Sequence, residues 1–372
     1  MSDISLRRRI EELLDHADVV INGERPWDIR VNNRNLYRRI LAQGSLGFGE
    51  AYVDGWWETD SLDQLTARLL KAKLDEKFRS FVVLMAALKA KLLNCQSAKR
   101  AYQVGERHYN IDNDLYRSML DERMIYSCGY WRHAETLDEA QRHKLLLTAR
   151  KLHLEKGQRV LDIGCGWGGT ARFMAEEFGV EVVGITISTA QAELARENCR
   201  GLPVEIRVQD YRELRWIFDR VVSIGMFEHV GYKNYRTYFH KVAELLKDDG
   251  LFLLHTIGGN TPTERTDPWI DKYIFPNGMI PSAQQVCSGF EGDFVLEDWH
   301  NFGLDYDKTL MAWYENFQCA WPQLKDNYDE RFRRMWEYYL LSCAGAFRSR
   351  SNQLWQIVLS KQGLPDGYHC PR

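Results

Sequence analysis

The stretch from residue 158 to residue 257 constrains the fold most, because short apolar runs alternate there with amphipathic ones. "QRVLDIGCG" reads as a strand, "GGTARFMAEEFG" as a helix and "EVVGITIS" as a strand. "STAQAELARENCRG" reads as a helix, followed by strands in "VEIRVQD" and "RVVSIGM". In "YRTYFHKVAELLKDDG" the apolar positions 235, 238, 239, 242, 245 and 246 predict one buried helical face, closed by Gly250. "LFLLHTI" is the next strand. Strands alternating with helices predict an α/β fold, a mostly parallel sheet with helices on both faces in the Rossmann-like manner. Ligands of such sheets sit beyond the carboxyl ends of the strands. Gly164, Thr186, Glu228 and His255 all fall at those ends.

The N-terminal part follows another pattern. "SLRRRIEELLDHA" and "NRNLYRRILAQG" are helical, "INGERPWDIRV" is a small extended turn, and "SLGFGEAYVDGWWETD" has no clear period. A small, mainly helical domain is therefore expected over 1–93, followed by a catalytic domain over 94–372. Residues 65–110 hold ten Lys or Arg against three Asp or Glu within a chain of net charge −3. That asymmetry fits an anionic partner or a solvated helix face. The apolar run "FVVLMAAL", 81–88, is far shorter than the about 20 residues that span a bilayer. Membrane surface, dimer partner and core are the three places it could be buried. The first twenty residues show no apolar signal region or cleavage pattern, so no secretory leader is expected, and the eight cysteines are scattered without a CxxC pair. Reduced thiols in a cytoplasmic protein are the expectation, and no metal site is expected.

"VLDIGCGWGG" leaves a strand and opens a helix. Gly164, Gly166 and Gly168 form G-x-G-x-G, which lets the backbone approach a ligand and aims helix N–H groups at it. Asp162 precedes the loop by two residues, as in methyltransferases, and the spacing is not the dinucleotide G-x-G-x-x-G, although Gly169 blurs the difference. S-adenosylmethionine is the expected cofactor rather than NAD. The second strand ends without the usual acidic residue for ribose, in Thr186. Ser188 and Gln191 follow in S-x-x-Q spacing, so Gln191 either caps the helix or contacts ribose. Asp210 and Tyr211, after the third strand, could bound the adenine.

Across nearly its whole length the chain resembles the cyclopropane-fatty-acyl-phospholipid synthases. The matching stretches include "GSLGFGEAYVDGWW", "HYNIDNDLY", "MIYSCGYW", "VLDIGCGWGG", "GMFEHVG", "LLHTIG", "DPWIDKYIFPNG", "DWHNFGLDYDKTLMAWYENF" and "LLSCAGAFR". The resemblance implies addition of a methylene group from S-adenosylmethionine to the cis double bond of a phospholipid acyl chain. It implies bound bicarbonate as the base, held by Cys128, Glu228, His255, the Ile257 backbone and Tyr314. Tyr126 and Ser127 match positions near the cofactor. Peripheral contact with the inner membrane surface, a homodimer and no nucleic-acid partner are also implied.

Taken by themselves these residues have blander readings. His255 after a strand fits a structural histidine, and Tyr314 in "TLMAWYENF" fits a core aromatic. Glu228 is least easily dismissed, since a carboxylate at an apolar strand end needs a reason; His229 would brace the turn. Cys343 falls on the apolar stripe 332, 335, 336, 339, 340, 343 and 347, where a buried thiol is ordinary. The matching family cysteine makes it an active-site candidate, but methyl transfer to an alkene needs no thiolate.

Overall fold

The structure is a computed structural model, and it describes residues 3–74 and 113–372. The basic segment beyond Leu74, the run at 81–88 and most of "HYNIDNDLY" lie outside the described residues. The chain forms two compact units. One comprises Met1–Asn94, Thr266–Pro276 and Tyr306–Asn352, the other Cys95–Arg265, Asn277–Asp305 and Gln353–Arg372.

The described helices, in chain order, are α1 (Asp3–Asp15), α2 (Leu36–Val53), α3 (Leu62–Lys71), α4 (Asn113–Met119), α5 (Leu137–Lys151) and α6 (Gly169–Phe178). They continue with α7 (Thr189–Asn198), α8 (Tyr235–Leu245), α9 (Pro268–Tyr273), α10 (Ala283–Phe290), α11 (Leu304–Leu324) and α12 (Glu330–Arg348). The strands are β1 (Arg30–Val31), β2 (Trp57–Glu58), β3 (Arg159–Ile163), β4 (Glu181–Thr186) and β5 (Val204–Val208). After them come β6 (Phe218–Ile224), β7 (Leu246–Gly259), β8 (Val295–Asn301) and β9 (Asn352–Ser360).

In the first unit the contiguous boundary near residue 93 gives way to a mixed assembly. α12 packs on α3 and α2, and α9 packs on α2. The stretch at 45–53 expected to lack a period is the second half of α2, bent at Gly44 (φ 59°, ψ −135°). Glycines hid it. A Cβ on Gly49 would lie 2.5 Å from Trp269 Cδ1 and 2.8 Å from Tyr338 Cε1, so only glycine lets α9 and α12 approach this closely. Arg39 binds Glu50 and Asp54 at 2.7 Å each, and Lys272 binds Glu50 at 2.5 Å. The late helices complete the core of the early ones.

The second unit is built on a seven-stranded sheet of order β5-β4-β3-β6-β7-β9-β8. The four pairings from β5 to β7 are parallel, and β8 pairs with β9 antiparallel. The Rossmann-like expectation holds. Helix α8 ends at Leu245 rather than at Gly250, and β7 begins at Leu246. Gly250 sits where the chain passes β6, and a Cβ there would lie 2.9 Å from Asp219 O. Tight passage, not a helix end, explains that glycine. The buried rings of Phe227, Tyr235, Tyr238, Phe239 and Phe252 form the sheet's main apolar layer with Leu254 and Trp355.

Candidate active site

The parallel register decides which residues meet. Ile224, the last residue of β6, lies opposite His255 in β7, and Gly225 N donates to His255 O at 3.0 Å. Four residues past β6, Glu228 sits in a 3-10 turn over Phe227–His229. Its Oε1 accepts from Ile257 N at 2.7 Å, so the two strand ends are tied by the carboxylate. The Ile257 N–H is thus engaged in holding Glu228. His229, kept neutral by burial that lowers its pKa to about 4, completes the turn.

Glu228 Oε2 is buried without a hydrogen-bond partner, although part of the residue reaches the surface. Burial raises its pKa above the ordinary carboxylate value, opposed by the Ile257 N–H, its own backbone N–H and the Thr256 hydroxyl. An unpaired buried acceptor costs about 1–3 kcal/mol, which a donor on a ligand would offset. His255 is 1 % exposed and its Nε2 is likewise without a partner. Burial, with Lys144 and Lys151 adding repulsion, pushes the imidazole pKa well below its ordinary value, so the ring is neutral.

The segment Tyr126–Gly129 runs beside these strand ends. A Cβ on Gly225 would come 3.8 Å from Ser127 Cβ. Cys128 is fully buried, its Sγ 3.1 Å from Gly129 O. Ser127 Oγ accepts from Lys144 Nζ at 2.8 Å, and Gln141 Nε2 donates to Ser127 O at 2.7 Å. Tyr126 lies edge-on to Tyr116 at 5.2 Å, and Tyr116 meets Trp167 at 4.8 Å. These rings flank the glycine loop. Burial lowers the pKa of Lys144 to about 8, because its ammonium has left water.

The loop itself has the geometry a cofactor needs. Gly164, Gly166 and Gly168 have φ of 86°, 54° and 83°, and Gly168 caps α6. Around Gly166 a Cβ would meet no protein atom within 4 Å. Asp162 is 2 % exposed, its Oδ2 has no partner, and burial raises its pKa to about 7. Thr186 Oγ1 donates to Gln191 Oε1 at 2.9 Å, and Ser188 Oγ accepts from Gln191 N at 3.3 Å. The reciprocal capping box does not form, and the Gln191 amide N–H groups keep their donors for a ligand. Both oxygens of Asp210 are held by Arg212, Oδ1 at 2.8 Å and Oδ2 at 2.7 Å. Tyr211 packs edge-on to Tyr238 at 5.1 Å in the sheet's apolar layer. Orphaned acceptors, free amide donors and an open glycine loop fit S-adenosylmethionine.

Tyr314 and Cys343 belong to the first unit. Tyr314 is half-buried on α11, and burial raises its pKa. Burial pushes the Cys343 thiol up to about 12, so it is protonated at neutral pH and unprepared as a nucleophile. Among the described residues no cluster of His, Cys, Asp or Glu could hold a metal ion, and no helix is long and apolar enough to cross a membrane.

Sequence patterning gives no sign of one polar row behind the site. Gln141, Lys144, Thr148 and Lys151 lie along one face of α5, each 1 % exposed or less. Polar residues at helical spacing ordinarily face water, and in "LDEAQRHKLLLTARK" nothing marks them as internal. Lys151 Nζ binds Asp298 at 3.0 Å and His300 Nδ1 at 3.2 Å.

The buried Asp162 gives a prediction on stability. Its folded pKa of about 7 exceeds an unfolded value near 3.9, so the folded chain holds the extra proton between those values. Ionising it costs folding energy, and stability falls as pH rises through that window. Asp162→Asn is expected to raise the melting temperature of the cofactor-free protein by several degrees above pH 7 and by little near pH 4. At the same time it should weaken S-adenosylhomocysteine binding. Thermal melts at the two pH values, with calorimetric titration, measure both.

Comparison with known proteins agrees with this geometry. Residues 96–357 match the family model described as Mycolic acid cyclopropane synthetase. The cyclopropane-fatty-acyl-phospholipid synthase of Escherichia coli (strain K12) is 54% identical over 366 residues, covering 98% of this chain and 96% of that protein. The tuberculostearic acid methyltransferase UfaA1 of Mycobacterium tuberculosis is 31% identical, over 89% of this chain and 82% of its own. Among solved structures, mycolic acid cyclopropane synthase CmaA1 complexed with SAH and CTAB superposes with a TM-score of 0.65 at 32% identity, over 70% of this chain and 98% of that one. Coclaurine N-methyltransferase, at 24% identity and a TM-score of 0.70, shares the fold. A glycine loop shaped for a nucleoside, a carboxylate just past the end of β6 with an imidazole of β7 level with that end, and these relatives together place the chain in the cyclopropane synthetase family, as an S-adenosylmethionine-dependent methyltransferase.

Proposed function

We propose that this protein converts the cis double bond of an unsaturated phospholipid acyl chain into a cyclopropane ring, with bicarbonate as the proton acceptor. The observation that carries the reading is the pair of unpartnered groups near the end of β6, the Glu228 Oε2 acceptor and the Nε2 of His255 in the neighbouring β7. Bicarbonate offers both complements, an O–H for the carboxylate and an anionic oxygen for an N–H.

S-adenosylmethionine supplies an electrophilic methyl group on sulfur. The alkene's π electrons form the new carbon–carbon bond as the carbon–sulfur bond breaks, leaving S-adenosylhomocysteine and a cationic centre on the acyl chain. Loss of one proton from the added methyl group lets its C–H electrons close the ring. The chain's own residues prepare this sequence. Asp162, Gln191 and the glycine loop would hold the cofactor. Tyr116, Tyr126 and Trp167 give an aromatic surround in which water is scarce, and a site poor in water but rich in π density stabilises a cation. Glu228 and His255, with Cys128 and the Ile257 backbone as further members, would hold the base where that proton departs. The Ile257 N–H acts by fixing Glu228.

The relative UfaA1 favours a second reading, in which a methyl branch is added without ring closure. The product separates the two. Purified protein given vesicles of unsaturated, anionic phospholipid should add the mass of one methylene group per double bond, with ring-proton signals. The same added mass with vinylic or exomethylene proton signals in place of ring-proton signals would assign the branch-forming reaction. The same assay tests docking on the bilayer surface through the basic segment at 65–110, since anionic lipid attracts each basic residue by about 1 kcal/mol. The rate on vesicles should fall as salt rises, and a rate indifferent to salt and to lipid charge would refute that docking. The homodimer implied by the family belongs to the same proposal.

A further inference from the structure

The buried polar face of α5 continues into the site through a chain of oriented hydrogen bonds. Thr148 Oγ1 donates to Lys144 O, one turn back, at 2.9 Å. Its single proton being so used, the Thr148 oxygen accepts from Gln356 Nε2 at 3.1 Å. The same amide nitrogen lies 3.4 Å from His255 Nδ1. Gln356 and Thr148 are fully buried, and β9 carries Gln356 toward β7.

The direction of each bond follows from what the others leave available. In this orientation the only amide atom left over is Gln356 Oε1, one unpartnered acceptor. Turning the amide over would instead strand two buried N–H donors, a larger loss. Nε2 therefore carries hydrogens to both neighbours, and His255 Nδ1 must accept. A neutral imidazole that accepts at Nδ1 carries its proton on Nε2. That atom is the one without a partner in the protein.

We infer that Thr148 and Gln356 are positioning residues that fix the neutral His255 ring in the Nε2–H tautomer, so that it faces a bound anion as a donor. Without them the ring would divide between two tautomers, and in one of them an Nε2 lone pair would meet the anion's negative oxygen. The tautomer assignment stands on the hydrogen bonds alone, while its use on bicarbonate rests on the function proposed above. Lys144 and Lys151 add positive potential around the ring, which favours an anionic guest and keeps the imidazole itself uncharged.

The test uses full-length protein labelled with ¹⁵N-histidine, with the His255 signals identified by their loss in His255→Gln. The wild-type ring should show a protonated Nε2 and an unprotonated Nδ1. Gln356→Leu should mix the tautomers and reduce turnover about tenfold to a hundredfold, by analogy with groups that orient metal-binding histidines. S-adenosylhomocysteine affinity should be unchanged. Thr148→Val should give a smaller shift in the same direction, and Thr148→Ser, which keeps the hydroxyl, should restore the wild-type pattern and guards against a folding defect. A wild-type proton on Nδ1, or a tautomer that Gln356→Leu leaves in place, overturns the inference. Mixed tautomers with an unaltered bicarbonate dependence would uphold the positioning role and count instead against His255 as the bicarbonate donor.

Discussion

Glu228→Gln is expected to abolish most turnover, by a hundredfold or more, while leaving fold and cofactor affinity intact. The reason lies in the division of labour between the two carboxylate oxygens. Oε1 accepts from Ile257 N at 2.7 Å, and an amide oxygen can take over that bond without change. The amide nitrogen then falls where Oε2 stands, presenting N–H donors where the ligand needs an acceptor. Loss of one preorganised hydrogen-bonding group at a reacting centre typically costs about 10²–10³ in rate. In bicarbonate-depleted buffer the wild-type rate should drop and recover on adding bicarbonate back, and Glu228→Gln should respond weakly. A wild-type rate indifferent to bicarbonate would leave Glu228 itself, or another side chain, as the base. The acid side of the rate profile carries a second check. Burial raises the Glu228 pKa above 4.5, and its protonation removes the acceptor. Activity should therefore fall with decreasing pH before the ordinary carboxylate range is reached.

Gly166→Val should eliminate S-adenosylhomocysteine binding in calorimetry while circular dichroism shows a folded protein. Two effects act together. Gly166 has φ 54°, in the left-handed region, where a β-branched residue is strained by about 1–3 kcal/mol. A Cβ there meets no protein atom within 4 Å, so the isopropyl group would occupy the space beside the loop without disturbing the core. Binding is therefore lost to ligand exclusion more than to misfolding. Unchanged affinity in a folded variant would remove the glycine loop from the account of the cofactor.

Both predictions rest on residues whose immediate sequence neighbours already set them apart, and the reason is physical. A glycine loop between strand and helix, and a carboxylate at an apolar strand end, are locally improbable unless something binds there. The alternation of strands and helices after residue 158 fixes a parallel sheet, because helical crossovers are what connect parallel neighbours. Those features are encoded within short windows of the chain, so sequence by itself determined the α/β class, the glycine loop between β3 and α6, and the turn after β6 that carries Glu228. His255, expected at a strand end, instead lies inside β7, which runs on to Gly259.

Tertiary structure decided what depends on distant partners. The first unit draws in Thr266–Pro276 and Tyr306–Asn352, because α2 and α3 need the apolar faces of α9 and α12 to bury their own. Gly47 and Gly49 fall in the stretch expected to lack a period, yet lie inside α2, where the closeness of Trp269 to Gly49 excludes any larger residue. The pairing of Asp210, expected beside the adenine, with Arg212 is likewise visible only in the folded chain. Nothing in the sequence marks Gln141, Lys144 and Thr148 as internal, and only the packing of α5 buries them. A side chain's polarity is local, but whether water or protein satisfies it is settled by the fold. For His255 that difference selects which ring nitrogen carries the proton.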